Sequence, residues 1–124
     1  MEFICYAKCT TCRKAKKWLD DNGFSYILRD IKSQNPTETE LRKWHAISRL
    51  PLKKFFNTSG QLYKELGLAA KLAGMNEEEQ FALLAGDGML VKRPIVVGGE
   101  FVLVGFDENE WAFKLNGSRV KNKA

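Results

Sequence analysis

Residues 3–28 read FICYAKCTTCRKAKKWLDDNGFSYIL, and this stretch decides the fold. Residues 3–6 form a short apolar run with aromatic content, which predicts a first strand. Residues 10–22 carry apolar side chains at helical spacing and end at Asn-Gly, which predicts a helix and its stop. Residues 24–28 predict a second strand. Strand, helix and strand within so few residues predict a parallel βαβ unit with a right-handed crossover.

The middle of the chain predicts a block of helices over residues 37–86. Thr37 and Glu40 have the spacing of a capping box, so a helix is expected over residues 38–48. A later helix over residues 77–84 has Asn76 as a plausible N-cap.

The last third of the chain predicts two further strands. Residues 91–97 and 101–104 predict strands three and four, with a hairpin turn between them. A final helix is expected over residues 108–115 and is predicted to end at Asn116-Gly117, which leaves residues 118–124 as a basic, mobile tail.

This order of elements predicts a single α/β domain over residues 1–117. The expected architecture is a thioredoxin-like (glutaredoxin-like) mixed four-stranded sheet, with the helical insertion between strands two and three. A chain of 124 residues can bury a core without disulfides or metals.

Net charge and hydropathy limit the partners and the cellular location that are expected for this chain. The net charge of +5 comes from 20 basic and 15 acidic residues, an excess too modest to predict nucleic-acid binding. No apolar run approaches the roughly 20 residues of a membrane span, and the N-terminus has no basic region of a signal peptide. A cytoplasmic location with no membrane partner is therefore expected, where thiols are kept reduced.

The chemistry is expected at Cys9-Thr10-Thr11-Cys12, which follows strand one and opens helix one. The N-terminus of a helix carries unpaired N–H groups and about half a positive charge. Cysteines there, near cations and in Cys-x-x-Cys motifs are activated as thiolate nucleophiles. Five basic residues and no acid surround the motif (Lys8, Arg13, Lys14, Lys16 and Lys17). Cys9 is predicted to be the nucleophile and Cys12, one turn on, the resolving thiol.

Two other interpretations of the motif stay open. A Cys-x-x-Cys can be half of a zinc site, but only Cys5 and His45 could complete it. Cys5 reads better as a buried small hydrophobe and His45 as a surface histidine, so no metal is expected. The thiols could also be inert.

A second marker is Arg93-Pro94 at the start of strand three. Thioredoxin-like folds place a cis-proline there, opposite the active cysteine, although Pro94 could merely begin a strand. Arg93 could bind an anion, or a thiolate, through charge-assisted hydrogen bonds.

These segments together resemble the ArsC/Spx family of arsenate reductases, Spx-type regulators and related proteins, over about residues 2–115. The resemblance rests on YAKCTTCRKA at residues 6–15, LYKELGL at 62–68 and KRPIVV at 92–97. It implies that Cys9 is the nucleophile and that Arg93 and Pro94 belong to the active site. Arg13 matches an arginine of the first helix, and Thr10 and Thr11 are expected to support the site. The Spx-type members have the Cys-x-x-Cys, whereas glutaredoxin-coupled arsenate reductases have a small or hydroxyl residue at Cys12.

The chain departs from the family pattern in two ways. The arsenate reductases hold the oxyanion with three arginines, of which only Arg93 has a counterpart. The other two positions fall at Asn57 and Gly105, although Lys53 and Lys54 lie nearby in the sequence. The Spx regulators bind RNA polymerase through a surface with a glycine where this chain has Pro51.

Two functions are therefore compared. The first is a thiol-dependent oxidoreductase without a cofactor that reduces a disulfide or a small oxyanion, with thioredoxin or glutaredoxin and glutathione as electron donor. The second is an Spx-type redox-sensing regulator that binds RNA polymerase. Arsenate reduction is expected to be weak, because each missing charge-assisted hydrogen bond removes roughly 1.5–3 kcal/mol.

Overall fold

The computed structural model describes the backbone of residues 1–123 and the side chains of residues 1–116. Four strands form one mixed sheet in the order β2-β1-β3-β4. β1 runs parallel to β2, whereas the β1–β3 and β3–β4 pairs are antiparallel. The strands are β1 (Glu2–Cys5), β2 (Ile27–Asp30), β3 (Ile95–Val97) and β4 (Val102–Val104).

The described backbone, residues 1–123, contains six α-helices. They are α1 (Thr10–Asp21), α2 (Glu38–Ser48), α3 (Gln61–Glu65), α4 (Leu68–Lys71), α5 (Glu77–Gly86) and α6 (Glu108–Lys123). Single 3-10 turns lie at Leu52–Phe55, Leu72–Gly74 and Gly88–Leu90. The helical insertion between β2 and β3 confirms the predicted thioredoxin-like α/β architecture. No described helix is long and apolar enough to cross a membrane.

Alternation along β1 divides the core into two clusters. Phe3 and Cys5 belong to the cluster that also contains Cys12, Ala15 and Leu19 of α1. Ile4 belongs to the other cluster, which is filled largely by the helical insertion. Cys5 at the end of β1 therefore lies on the same side of the sheet as α1.

An ion pair between an arginine and a glutamate links the insertion to the sheet. Arg29 of β2 forms two hydrogen bonds to the Glu40 carboxylate, of 2.7 and 2.9 Å. Glu40 also completes the predicted capping box, in which Thr37 Oγ1 accepts the Glu40 N–H. The hydrogen bonds from Arg29 lower the pKa of Glu40 to about 2.

The predicted starts of two strands are wrong. β2 begins at Ile27 rather than at residue 24, because the Phe24 N–H donates to the Leu19 carbonyl and still belongs to the turn after α1. β3 begins only after Pro94, because the segment before it pairs with Phe56 of the insertion instead.

The last helix also differs from the prediction. α6 continues to Lys123 and does not end at Asn116-Gly117. A helix can run through an Asn-Gly pair at a modest propensity cost, so the pair is a weaker stop signal than it appears in the sequence. The predicted basic, mobile tail over residues 118–124 falls on residues whose side chains lie outside the described part of the chain, so its mobility stays a prediction.

Candidate active site

Cys9 lies at the N-cap of α1. Its backbone is extended (φ −87°, ψ 122°), no side chain caps the helix, and the first turn contains no acidic residue. The Cys9 N–H donates to the Tyr6 carbonyl at 2.9 Å, and the Cys9 carbonyl accepts the Arg13 N–H at 3.1 Å. The half-buried thiol thus lies at the positive end of the helix dipole, where an anion is favoured.

Cys12 is buried beneath Cys9, with 2% of its surface exposed. Its sulfur accepts the Tyr6 N–H at 3.3 Å, and this bond and a hydrogen bond with the Cys9 thiol both act to lower the pKa of Cys12. A hydrogen bond shared with Cys5, together with burial, raises the pKa of Cys12 well above its usual value. Cys12 is therefore a protonated thiol at neutral pH, which leaves the first attack on a substrate to the more accessible Cys9.

Cys5 also reaches this site, which the sequence analysis did not anticipate. It is 8% exposed, as expected for a buried residue, but its thiol shares a hydrogen bond with Cys12. That hydrogen bond lowers the pKa of Cys5, against the opposing effect of burial. The signal was present in the sequence, because alternation along β1 points Cys5 to the helix face that also carries Cys12.

The basic residues around the motif are largely engaged elsewhere. Arg13 Nε donates to the Ala7 carbonyl at 2.9 Å and so holds the loop that precedes Cys9. Lys16 and Lys17 pair with Asp20 and Asp21 farther along α1. Arg13 is a positioning residue for the loop, and three of the five predicted cations therefore interact with groups other than the thiols.

Arg93 has the least satisfied side chain of the site. Its Nε and Nη1 atoms are buried, and neither has a hydrogen-bond partner among the described residues. Its guanidinium lies over the Tyr6 ring, with 5.2 Å from Cζ to the ring centroid. Tyr6 was not predicted as a site residue, yet its ring contacts Arg93 and its peptide groups bond to both Cys9 and Cys12.

The backbone around Arg93 is fixed from both sides. The Arg93–Pro94 peptide bond is cis, and the Pro94 carbonyl accepts the Gly105 N–H at 2.8 Å. On the other side, the Lys92 N–H donates to the Phe55 carbonyl at 2.7 Å. The helical insertion and the β3–β4 pair together therefore hold Arg93 beside Tyr6.

A cleft of about 850 Å³ opens beside the N-terminus of α1. Thr11, Pro51, Lys53 and Lys54 line it, and Thr10 is exposed next to Thr11. Lys92 was not among the predicted site residues, yet it lines the same cleft together with the acidic Asp107 and Glu110. The cleft walls thus carry three lysines and two carboxylates.

The two positions where arginines were expected do not hold cations. Gly105 has φ +77°, and a Cβ there would lie 3.2 Å from Lys92 Cε, so the Lys92 stem occupies the neighbouring space. The Asn57 N–H donates to the Leu90 carbonyl at 2.7 Å, which ties Asn57 to the backbone of the insertion.

A zinc site is not assembled. His45 is half-buried rather than fully on the surface, and its ring packs edge-on against Phe55 and Phe81 in the other core cluster. Within the described part of the chain, no group of three or more His, Cys, Asp or Glu side chains could hold a metal ion.

In a comparison with known protein families, the ArsC family model matches residues 5–113 of this chain. The chain belongs to the ArsC family. A crystal structure of an ArsC family related protein from Bacteroides fragilis is 58% identical, with a TM-score of 0.88, and the match covers 90% of this chain and 93% of that one. The protein YusI of Bacillus subtilis is 51% identical over 90% of this chain and 94% of its own length. The global transcriptional regulator Spx 2 of Bacillus cereus is more distant, at 27% identity over 84% of this chain and 78% of its own.

Proposed function

We propose that this ArsC family member is a cytoplasmic thiol–disulfide oxidoreductase, with Cys9 as nucleophile and Cys12 as resolving thiol. The observation that carries the proposal is the position of Cys9 at an uncapped helix N-terminus, with the buried Cys12 in the first turn of the same helix and its sulfur 3.3 Å from the Tyr6 nitrogen. Cys9 is half-buried and faces the positive end of α1, whereas Cys12 is buried and protonated directly behind it. One thiol is therefore available for attack and the other for resolution.

The reaction proceeds by two exchanges that conserve electrons. The Cys9 thiolate attacks one sulfur of a substrate disulfide, and the second substrate sulfur leaves as a thiolate that takes a proton from solvent. Cys12 then loses its proton and attacks Cys9 Sγ, which releases the first substrate sulfur as a thiol and forms the Cys9–Cys12 disulfide. The substrate disulfide is reduced to two thiols, and a thioredoxin or glutaredoxin/glutathione system restores the protein dithiol.

In this scheme Arg93 donates hydrogen bonds to an anionic group of the substrate. Its Nε and Nη1 groups are buried and unpartnered in this structure, so a movement of the side chain would let them hydrogen-bond the carboxylate of a thiol substrate, the departing thiolate or an oxyanion. An oxyanion substrate such as arsenate fits less well, because Asn57 and Gly105 supply no further arginine. The cleft lysines are weaker substitutes, since an ammonium lacks the planar fork that grips an oxyanion at two points.

Coupled turnover of oxidised glutathione and of a disulfide-containing peptide tests the proposal. Glutathione reductase reduces oxidised glutathione directly, so that substrate is assayed through thioredoxin reductase and thioredoxin, and only the peptide is also assayed through glutathione reductase and glutaredoxin. We expect NADPH consumption that depends on this protein. Cys9→Ser should abolish turnover, and Cys12→Ser should restrict it to a route through free glutathione. Turnover that survives Cys9→Ser would contradict the proposal.

The second candidate is an Spx-type redox regulator, favoured by the similarity to Spx 2 and by the shared Cys-x-x-Cys. Pro51, exposed at the cleft, stands where the Spx regulators have a glycine in their RNA polymerase contact. A pull-down with purified RNA polymerase, under oxidising and reducing conditions, separates the two functions. Redox-dependent capture would favour the regulator, and capture in neither condition would exclude it.

A further inference from the structure

Cys5 is a third thiol that the proposed reaction does not use. It ends β1 with 8% of its surface exposed and packs in the same apolar cluster as Cys12, with Cys9 at the edge of that cluster. A buried cysteine in a core needs no thiol partner, but Cys5 shares a hydrogen bond with Cys12.

The backbone geometry brings Cys12 within disulfide reach of Cys5. Cys12 Sγ lies 3.3 Å from the Tyr6 nitrogen. That nitrogen belongs to the Cys5–Tyr6 peptide and is about 2.4 Å from Cys5 Cα, so Cys12 Sγ lies within about 6 Å of Cys5 Cα. Both side chains also pack in the same apolar cluster, so the two sulfurs lie close together in the core.

Cys12 is the thiol that interacts with both of the others. Hydrogen bonds with Cys5 and with Cys9 both affect the pKa of Cys12, and Cys9 packs against the cluster that contains Cys5 and Cys12. Thiol–disulfide exchange requires the attacking sulfur, the central sulfur and the leaving sulfur to lie roughly in line. The exchange therefore requires Cys12 Sγ to lie between the sulfurs of Cys5 and Cys9.

We propose that Cys5 takes over the disulfide from Cys9, so that the Cys9–Cys12 bond is exchanged for a buried Cys5–Cys12 bond. This inference rests on the proposed function, which supplies the Cys9–Cys12 disulfide. Cys5 loses its proton and attacks Cys12 Sγ, the Cys5–Cys12 bond forms, and the Cys9–Cys12 bond breaks. Cys9 leaves as a thiolate, so the exchange consumes no oxidant or reductant.

The exchange changes what the oxidised protein can do. Cys9 becomes a free nucleophile again while the protein still holds one disulfide. The two bridged sulfurs belong to side chains that are 8% and 2% exposed, so bulky reductants reach them less easily than they reach Cys9. The oxidised protein can then form a mixed disulfide with a second substrate, which a two-thiol site cannot do before it is reduced.

The tryptic map of this chain separates the two disulfides. Trypsin cleaves after Lys8 and after Arg13, so Cys5 lies in the peptide of residues 1–8 and the other two cysteines lie in residues 9–13. A Cys9–Cys12 bond leaves these peptides separate, whereas a Cys5–Cys12 bond links them. Fragmentation of the linked peptide shows whether Cys9 or Cys12 carries the bond.

The experiment treats the reduced full-length protein with one equivalent of oxidised glutathione, stops samples with acid and blocks free thiols with N-ethylmaleimide. We expect the internal Cys9–Cys12 product first, followed by conversion to the linked peptides with Cys9 blocked by the maleimide. In the control variant Cys5→Ala the internal product should persist. Conversion in the wild-type protein alone supports the proposal even if Cys5→Ala does not fold.

The outcomes distinguish this proposal from the proposed function. A Cys9–Cys12 product that persists in the wild-type protein, with Cys5 always blocked, would overturn the exchange and leave the oxidoreductase intact. A linked product that carries the bond on Cys9 would also overturn it. Absence of any disulfide or glutathione adduct at Cys9 would reject the oxidoreductase itself.

Discussion

Replacement of Arg93 by Met should separate activity from stability. The guanidinium has two buried nitrogens without hydrogen-bond partners, so the folded protein bears a desolvation cost that no internal bond offsets. Methionine keeps the unbranched stem that packs against Tyr6. The variant loses a cation–π contact worth about 0.5–1 kcal/mol and is relieved of an unsatisfied group worth about 1–3 kcal/mol. We therefore expect a free energy of unfolding that is unchanged or about 1 kcal/mol higher.

The effect on turnover should be large and opposite. Two charge-assisted hydrogen bonds to substrate, at the lower end of about 1.5 kcal/mol each, amount to about 3 kcal/mol. Since 1.4 kcal/mol is a factor of ten, kcat/KM for oxidised glutathione should fall by about 100-fold.

Arg29→Met is the matched control, because Arg29 is also partly buried but its guanidinium has hydrogen-bond partners, the Glu40 carboxylate and the Gln34 and Asn35 carbonyls. It should lose about 2–3 kcal/mol of stability in urea unfolding and retain its kcat/KM at a temperature where it is folded. Parallel urea titrations and coupled assays on both variants measure the four values. Loss of stability in Arg93→Met with unchanged kcat/KM would refute the role of Arg93 as a hydrogen-bond donor to an anionic substrate group.

Three further outcomes follow from the same geometry. Iodoacetamide, followed by tryptic mass analysis, should label Cys9 well before Cys5 and Cys12, because the latter two are buried; earlier labelling of either would reverse the assignment. The lowered pKa of Glu40 gives stability that is fully present above its ordinary value near 4.5 and is lost as pH falls through about 2, so urea unfolding should show a loss of about 2 kcal/mol over that window, after allowance for solvent screening, that Glu40→Gln removes. Arsenate turnover in a glutaredoxin- or thioredoxin-coupled assay should stay below about 1 s⁻¹, the low end of typical enzymes, and a faster rate would show that the cleft lysines replace the missing arginines.

Local signals predicted the elements that local interactions determine. The helix over residues 38–48 has the predicted bounds, because the capping box at Thr37 is a short-range interaction. α1 begins at Thr10 as expected from the cysteine motif. The start of β2 and the end of α6 were missed. The turn hydrogen bond at Phe24 and the continuation of the helix through Asn116-Gly117 depend on competition between alternative backbone conformations, which residue types alone do not resolve.

The candidate site was predicted in its sequence motifs but not in its contacts. Cys9, Cys12 and Arg93 were selected by motif, and the structure gathers all three around Tyr6, which no motif marked. The contact between Cys5 and Cys12 depends on the packing of α1 against β1. The pairing of lysines along α1 likewise required the structure, because sequence proximity to Cys9 does not fix where a long side chain points.

The central claim is that Cys9 attacks and Cys12 resolves, and intact-protein mass spectrometry tests it most directly. The variant Cys12→Ala, with oxidised glutathione, should accumulate a single glutathione adduct that peptide mapping places on Cys9. The variant Cys9→Ala, under the same conditions, should remain without an adduct, because its remaining thiols are buried at 8% and 2% exposure. An adduct on Cys12 or Cys5 in Cys9→Ala, formed as fast as the adduct in Cys12→Ala, would contradict the account.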